Sequence, residues 1–178
     1  MAIICPSCCH ENIDGADICE NCQQSLTGLK RPGHSQSPIG NAMLKDRIAS
    51  LGPRQPIAVP SDTPVAKVLQ TMHEKGVGSM LIADDGKLTG IFSERDAVMR
   101  LGSDFSSYGN RPISEFMTPS PDTLTMDNKV IFAVHKMALG SYRHIPIISG
   151  DDLVGIISIR DILRYTSNKL AEMDTTAE

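Results

Sequence analysis

The chain predicts an α+β fold: two copies of one strand–helix–strand–strand–helix unit behind a small cysteine-rich segment. Three observations carry this. Gly90-Ile91-Phe92-Ser93-Glu94-Arg95-Asp96 returns as Gly155-Ile156-Ile157-Ser158-Ile159-Arg160-Asp161, an offset of 65 residues. The flanks keep that offset without insertion: Pro56 with Pro121, Asp62 with Asp127, Val65 with Val130, Met72 with Met137, Ile82 with Ile147 and Leu88 with Leu153. A register held that long marks two copies of one supersecondary unit. Third, all five cysteines fall within the first 22 residues, which indicates a local device rather than a fold-wide disulfide framework. The expected organisation is a cysteine segment over 1–29, a linker and short helix over 30–51, the first unit over 52–108, the second over 109–170 and a tail over 171–178.

Bulk composition narrows the function classes. At 178 residues and 40% hydrophobic, the chain can build one ordinary core plus an appendage. A formal net charge of −4 supplies no global basic field to attract nucleic acid. No apolar run approaches the roughly 20 residues that span a bilayer, so no membrane partner is expected. Met1-Ala2-Ile3-Ile4 followed by Cys5 has neither a basic region nor a long apolar segment, unlike a secretory signal. The expectation is a cytoplasmic protein with reduced thiols.

Within 1–29, Cys5-Pro6-Ser7-Cys8 and Cys19-Glu20-Asn21-Cys22 form two Cys-x-x-Cys knuckles separated by ten residues. Cys5, Cys8, Cys19 and Cys22 can place four thiolates tetrahedrally around Zn²⁺. A segment this short buries little core, so the metal would supply its folding free energy. Two other chemistries use such pairs. A redox dithiol wants a strand–helix context that neither pair has, and disulfides want an exported protein. Cys9 reads as a spectator thiol and His10 as a surface residue, each also able to replace a neighbouring ligand. Gly15 sits where the chain must reverse. The segment resembles the zinc-ribbon family, with Asn12, Gly15 and Leu26 filling that pattern's places. Cys9 and Gln23 stand where the family usually has glycine.

The rest of the chain reads in order. Residues 30–40 have linker composition, with a basic spot at Lys30, Arg31 and His34. Residues 41–51 carry a partial apolar stripe, a short helix ended by Gly52-Pro53. In the first unit Ile57 and Val59 alternate as a strand. Asp62 or Thr63 caps a helix with Pro64 near its start and Val65, Val68, Leu69 and Met72 on one face. Ser79 to Ala83 and Leu88 to Phe92 are strands joined by an Asp84-Asp85-Gly86 turn. Ser93 opens a helix bearing Ala97, Val98 and Leu101, and 102–116 connects to the second unit. That unit repeats the pattern: a strand at Leu124-Thr125, a cap at Asp127, and a helix carrying Val130, Val134 and Met137. Strands at Ile145–Ile148 and Leu153–Ile157 follow, then a helix from Ser158 and an acidic, frayed tail from Ala171.

Element order, Gly-x-x-Ser-x-x-Asp opening each final helix, Met117-Thr118-Pro119, and Arg143-His144-Ile145-Pro146-Ile147 together resemble the CBS-domain family over about residues 52–168. The resemblance implies one pseudo-twofold module with two clefts that take AMP, ADP, ATP or S-adenosylmethionine. It also implies paired, disc-shaped homodimers and a regulatory role without catalysis. On that reading Asp96 and Asp161 accept a ribose diol, and Ser93 and Ser158 meet a phosphate at a helix N-terminus. Gly90 and Gly155 let a ligand approach the strand backbone. Arg95, Arg160, Arg143 and His144 balance phosphate charge, and Ile57 and Thr118 contact adenine. The residues admit a plainer account, because Ser-x-x-Asp is close to a capping box worth about 1 kcal/mol per helix.

Two functions follow. One is a sensor in which an adenosine-containing ligand alters what the zinc segment or the dimer surface presents to a protein target. The other is an adaptor, in which the paired units only dimerise and the ribbon docks on protein or nucleic acid. An acidic total and the lack of an aromatic platform argue against nucleic acid. No nucleophile–base pair, Walker loop or His-rich catalytic motif is present, so no enzyme is expected. His73 and His135 are expected to be exposed.

Overall fold

The computed structural model describes residues 3–5, 10–13, 15–23, 26 and 37–175. The chain divides into two compact bodies. One comprises Met1–Gly52, Met126–Arg143 and Ser158–Glu178; the other comprises Pro53–Thr125 and His144–Ile157. The bodies cut across the sequence repeat.

In the first body, β1 (Ile3–Ile4) and β2 (Glu11–Asn12) form an antiparallel hairpin. Helix α1 (Pro38–Lys45) packs against α5 (Val130–Gly140) and α6 (Ile159–Thr175), with a 3₁₀ turn at Ile48–Leu51 between them. The second body holds β3 (Ala58–Val59), α2 (Val65–Lys75), β4 (Ser79–Asp84), β5 (Lys87–Ser93) and α3 (Glu94–Asp96). It also holds α4 (Phe105–Tyr108), β6 (Thr118–Pro119), β7 (His144–Ser149) and the length of β8 (Asp152–Ser158) up to Ile157. Strands of both copies join one sheet in the order β3-β4-β5-β8-β7, with β6 paired to β5. Asp85 and Gly86 both take positive φ, 51° and 79°, as a tight two-residue hairpin turn demands. The core of the second body is Val65, Val68, Met72, Met80, Ile82, Phe92 and Leu101 of the first copy with Ile113 and Phe116 of the second copy's leading segment.

The two copies exchange their leading segments. The Asp46 carbonyl accepts the Val130 N–H at 3.0 Å, and the Ile48 and Ala49 N–H groups donate to the Asn128 and Met126 carbonyls at 2.8 and 3.1 Å. At the 65-residue offset the pattern returns. The Arg111 carbonyl accepts the Val65 N–H at 2.9 Å, and Ile113 and Ser114 donate to Thr63 and Ser61 at 2.9 and 3.1 Å. Each copy's first helix thus starts on backbone that leads into the other copy. That exchange explains why the two bodies do not follow the repeat.

The exchange also corrects several expectations. Neither Asp62 nor Thr63 caps α2: its N-cap is Pro64, with no side-chain bond, and the Val65 and Ala66 N–H groups reach the Arg111 and Gly109 carbonyls. Asp127 does not cap α5; Lys129 is the N-cap and Asp127 pairs with Arg47. Orphan N–H groups need partners, and backbone carbonyls supply them where side chains were expected. The helix expected over 41–51 is broken, because Asp46 and Arg47 leave helical geometry to make these cross-copy bonds. Leu124 makes a single bridge to Ile147 rather than a strand. Helix α6 runs to Thr175, beyond the Ala171 where fraying was expected.

Candidate functional site

The cysteine segment is built around Asn12. This buried residue donates from Nδ2 to the His10 carbonyl at 2.9 Å and accepts the Glu20 N–H on Oδ1 at 2.9 Å, tying one knuckle to the other. Gly15 turns the chain with φ 92°, and Gln23, in the place of a glycine, takes φ 58°. The Sγ atoms of Cys5, Cys19 and Cys22 lie within 4.8 Å of one another, and Cys5 and Cys19 are fully buried. The Cys5–Cys22 separation is 3.6 Å. Four sulfurs at about 2.3 Å from Zn²⁺ stand about 3.8 Å apart, so this spacing fits a tetrahedral edge. Cys8, Cys9 and the basic spot Lys30, Arg31 and His34 lie outside the described residues; His10 is exposed.

The first copy's motif ends β5 and opens α3. Ser93 and Asp96 form a capping box: the Asp96 N–H donates to Ser93 Oγ at 3.3 Å, and Asp96 Oδ2 accepts Ser93 N–H at 2.9 Å and Oγ–H at 2.6 Å. The plainer account of Ser-x-x-Asp therefore holds for this oxygen. Asp96 Oδ1 faces Thr118 Oγ1 at 3.5 Å and Arg100 Nη2 at 3.2 Å, with the Asp96 side chain 16% exposed. Arg100 was not anticipated as a site residue. Its i,i+4 spacing from Asp96 was the signal available.

In the second copy Asp161 Oδ2 accepts Ser158 N–H and Oγ–H, both at 2.7 Å, while Oδ1 pairs with Arg164. Ser158 and Asp161 are each only 2% exposed. This carboxylate is turned inward, where the sequence led us to expect both beside open crevices. The glycines also read differently. A Cβ on Gly90 would lie 2.3 Å from Met117 Sδ, and one on Gly155 would lie 3.0 Å from Pro53 Cβ. The close approach at each glycine is made by the chain's own residues, where a ligand was expected.

Of the remaining predicted residues, Arg95, Arg160 and Arg143 are exposed, and the Arg143 carbonyl accepts the Ile159 N–H at 2.8 Å. Ile57 is half-buried against the first-copy core, and Thr118 is half-buried beside Asp96. His144 is half-buried, its Cε1 3.3 Å from where a Cβ on Gly78 would stand. His73 is exposed, as expected. His135 is not: among the described residues its buried Nε2 has no hydrogen-bond partner, and burial, with Lys136 adding a smaller effect, holds the imidazole below its usual pKa. A cleft of about 450 Å³ is lined by Leu69, Met72, His73, Gly76, Val77, Glu94 and Ala97. It excludes Ser93, Asp96 and Thr118, so this cleft and the polar constellation are separate features. Among the described residues no helix is long and apolar enough to cross a membrane.

Two β-α-β-β-α copies sharing one sheet, each with a capped Ser-x-x-Asp at its last strand–helix junction, define a tandem-repeat α+β module. The family model "CBS domain" matches residues 48–103 and 113–168, so the chain belongs to the CBS-domain family. It is 25% identical over 153 residues to "CBS domain-containing protein CBSCBSPB1" of Arabidopsis thaliana, covering 85% of this chain and 28% of that protein. The chain thus spans well under half the length of that relative. Among solved structures it resembles the CBS domain pair of protein MJ0100 in complex with 5-methylthioadenosine and S-adenosyl-L-methionine. That match has a TM-score of 0.63 and 23% identity, over 70% of this chain and 98% of that one. It also resembles CBSX2 in complex with AMP, with a TM-score of 0.59 and 21% identity over 68% and 96%. At these identities the two structures establish the fold alone.

Proposed function

We propose that this protein is a non-catalytic regulatory sensor that binds an adenosine-containing ligand (AMP, ADP, ATP or S-adenosylmethionine) at the first copy's Ser93–Asp96 junction. The observation that carries the reading is the half-committed carboxylate. Asp96 Oδ2 is spent on its own helix cap, whereas Oδ1 lies at a partly exposed position beside the Thr118 hydroxyl. A carboxylate oxygen of that kind can accept from a ribose diol. Arg95, one residue earlier and exposed, is placed to meet a phosphate. The ligand class is supported by the fold shared with the two ligand-bound structures. In the second copy Gly155, Ser158, Arg160 and Asp161 form the weaker candidate, because Asp161 is closed.

The cysteine segment is a structural zinc ribbon held by Cys5, Cys8, Cys19 and Cys22, supported by the convergence of three of those sulfurs. Four thiolates close a zinc site and leave no position for chemistry, so the ribbon serves as a contact module for a protein target. The protein pairs with a second copy through its CBS units. Metal analysis of purified protein should return one zinc per chain, lost in a Cys5→Ser, Cys22→Ser double variant. Calorimetric titration with AMP, ADP, ATP and S-adenosylmethionine tests the ligand. Binding below millimolar that is abolished by Asp96→Ala supports the sensor; its absence leaves only a zinc-tipped dimerising adaptor.

A further inference from the structure

Arg100 makes contacts that the box does not need. Its Nη1 donates to the carbonyls of Phe116, at 2.6 Å, and Met117, while Nη2 reaches Thr118 Oγ1 at 2.8 Å and Asp96 Oδ1 at 3.2 Å. One guanidinium therefore binds three consecutive residues, Phe116–Thr118, of the second copy's leading segment (the crossing segment) and ties them to the box carboxylate. That segment carries Met117 over Gly90 and continues as β6, where the Ser120 N–H donates to the Thr89 carbonyl at 3.0 Å. Arg100 stands on the π-wound turn Ala97–Leu101, a local widening of the kind that recurs at functional sites. The equivalent position in the second copy is Tyr165, which bonds Asp46 instead. The arrangement belongs to the first copy.

A carboxylate oxygen has about two lone-pair sites. On Asp96, Oδ2 already accepts two hydrogen bonds, and Oδ1 is shared between Arg100 and Thr118. A ribose diol must take Oδ1 from them. We infer that Arg100 is a latch: it holds Phe116–Thr118 against the Asp96 site, and a ligand hydroxyl pair competes with it for Oδ1. Ligand capture then releases the crossing segment, the stretch that leads into the second copy. Arg100 is 39% exposed at its side chain, so a released guanidinium rehydrates directly. This inference rests on the adenosyl reading above for the identity of the competitor, though not for the latch itself.

The test uses the full chain with Arg100→Gln and Arg100→Lys. Amide hydrogen exchange without ligand is expected to be about tenfold faster at Met117 and Ser120 in Arg100→Gln, reflecting lost charge-assisted bonds to the segment. Arg100→Lys should fall between, since one ammonium cannot span the same acceptors. Titration with AMP and with S-adenosylmethionine should show about tenfold tighter binding to Arg100→Gln than to the parent. A merely structural role would weaken binding instead. Unchanged exchange at Met117 and Ser120 overturns the latch, and equal or weaker binding overturns the competition. If neither ligand binds parent or variant, the adenosyl reading falls, and exchange alone decides the latch. Should both arginine variants lose cooperative unfolding, Thr118→Val decides in their place, because it removes the hydroxyl lying between Arg100 and Asp96. Faster Ser120 exchange there is expected, and unchanged exchange overturns the latch.

Discussion

Ser93–Asp96 and Ser158–Asp161 are the same four-residue box at the same offset, yet they stand in different surroundings. Both acids turn one oxygen back onto their own helix start. The first keeps its other oxygen at a partly exposed edge, shared with a threonine and an arginine of the second body. The second is sealed at 2% exposure against Arg164. Local sequence sets the cap, and the surrounding packing sets whether anything else can reach the acid. The second copy's acid therefore serves its own helix start behind a closed surface, and the first copy's acid keeps one oxygen at a partly exposed edge.

The largest test of this difference is removal of each acid. Asp161→Ala leaves the buried Ser158 N–H without its acceptor and should cost about 3 kcal/mol in denaturant unfolding. Asp96→Ala should cost about 1 kcal/mol, the ordinary loss of a cap, because water can reach the groups it exposes. Equal losses would show that the two boxes do the same work.

A smaller difference lies at the end of each copy's first helix. Gly76 and Ser141 occupy the same left-handed C-cap, at φ 61° and 53°. A serine there carries a Cβ penalty that glycine avoids. Ser141→Gly should raise stability by about 1 kcal/mol, and Gly76→Ser should lower it by about as much. Thermal unfolding of the two variants measures this, and stabilisation by Gly76→Ser would contradict it.

The smallest effect concerns acid. Where the first copy has Gln70 the second has His135, whose ring is held below the usual imidazole value of 6.5 by burial first and Lys136 second. The unfolded chain takes up this proton near 6.5 and the folded chain only at lower pH. The unfolded state thus binds more protons there, and stability present above about pH 6.5 is lost as pH falls. His135→Gln should make the melting temperature fall less between about pH 7 and pH 5.5. An unchanged acid limb would place the sensitivity elsewhere.

Much of the architecture was legible in the residues. The 65-residue offset announced two copies, the Asp85-Gly86 turn announced a hairpin, and Ser-x-x-Asp announced a capped helix, since each is a local preference of a few residues. The caps assigned to Asp62 and Asp127 were wrong for a physical reason. A carbonyl from the other copy's leading segment arrives at each helix start, and no local pattern encodes a partner more than 40 residues away. The burial of His135 was missed because helical spacing gives a face and not what covers it. Arg100 was missed because its meaning lies in Phe116–Thr118, carried in by the crossing segment.

By itself the sequence determined the repeat, the order of its strands and helices, the cysteine spacing and the two Ser-x-x-Asp boxes. These depend on side-chain periodicity and short-range hydrogen bonding, which neighbouring residues encode directly. Only the tertiary structure decided that the copies exchange leading segments, that Met117 lies over Gly90, and that one acid stays at the surface while its twin is buried. Those outcomes turn on which distant backbone and side-chain groups meet, and packing, not local preference, selects them.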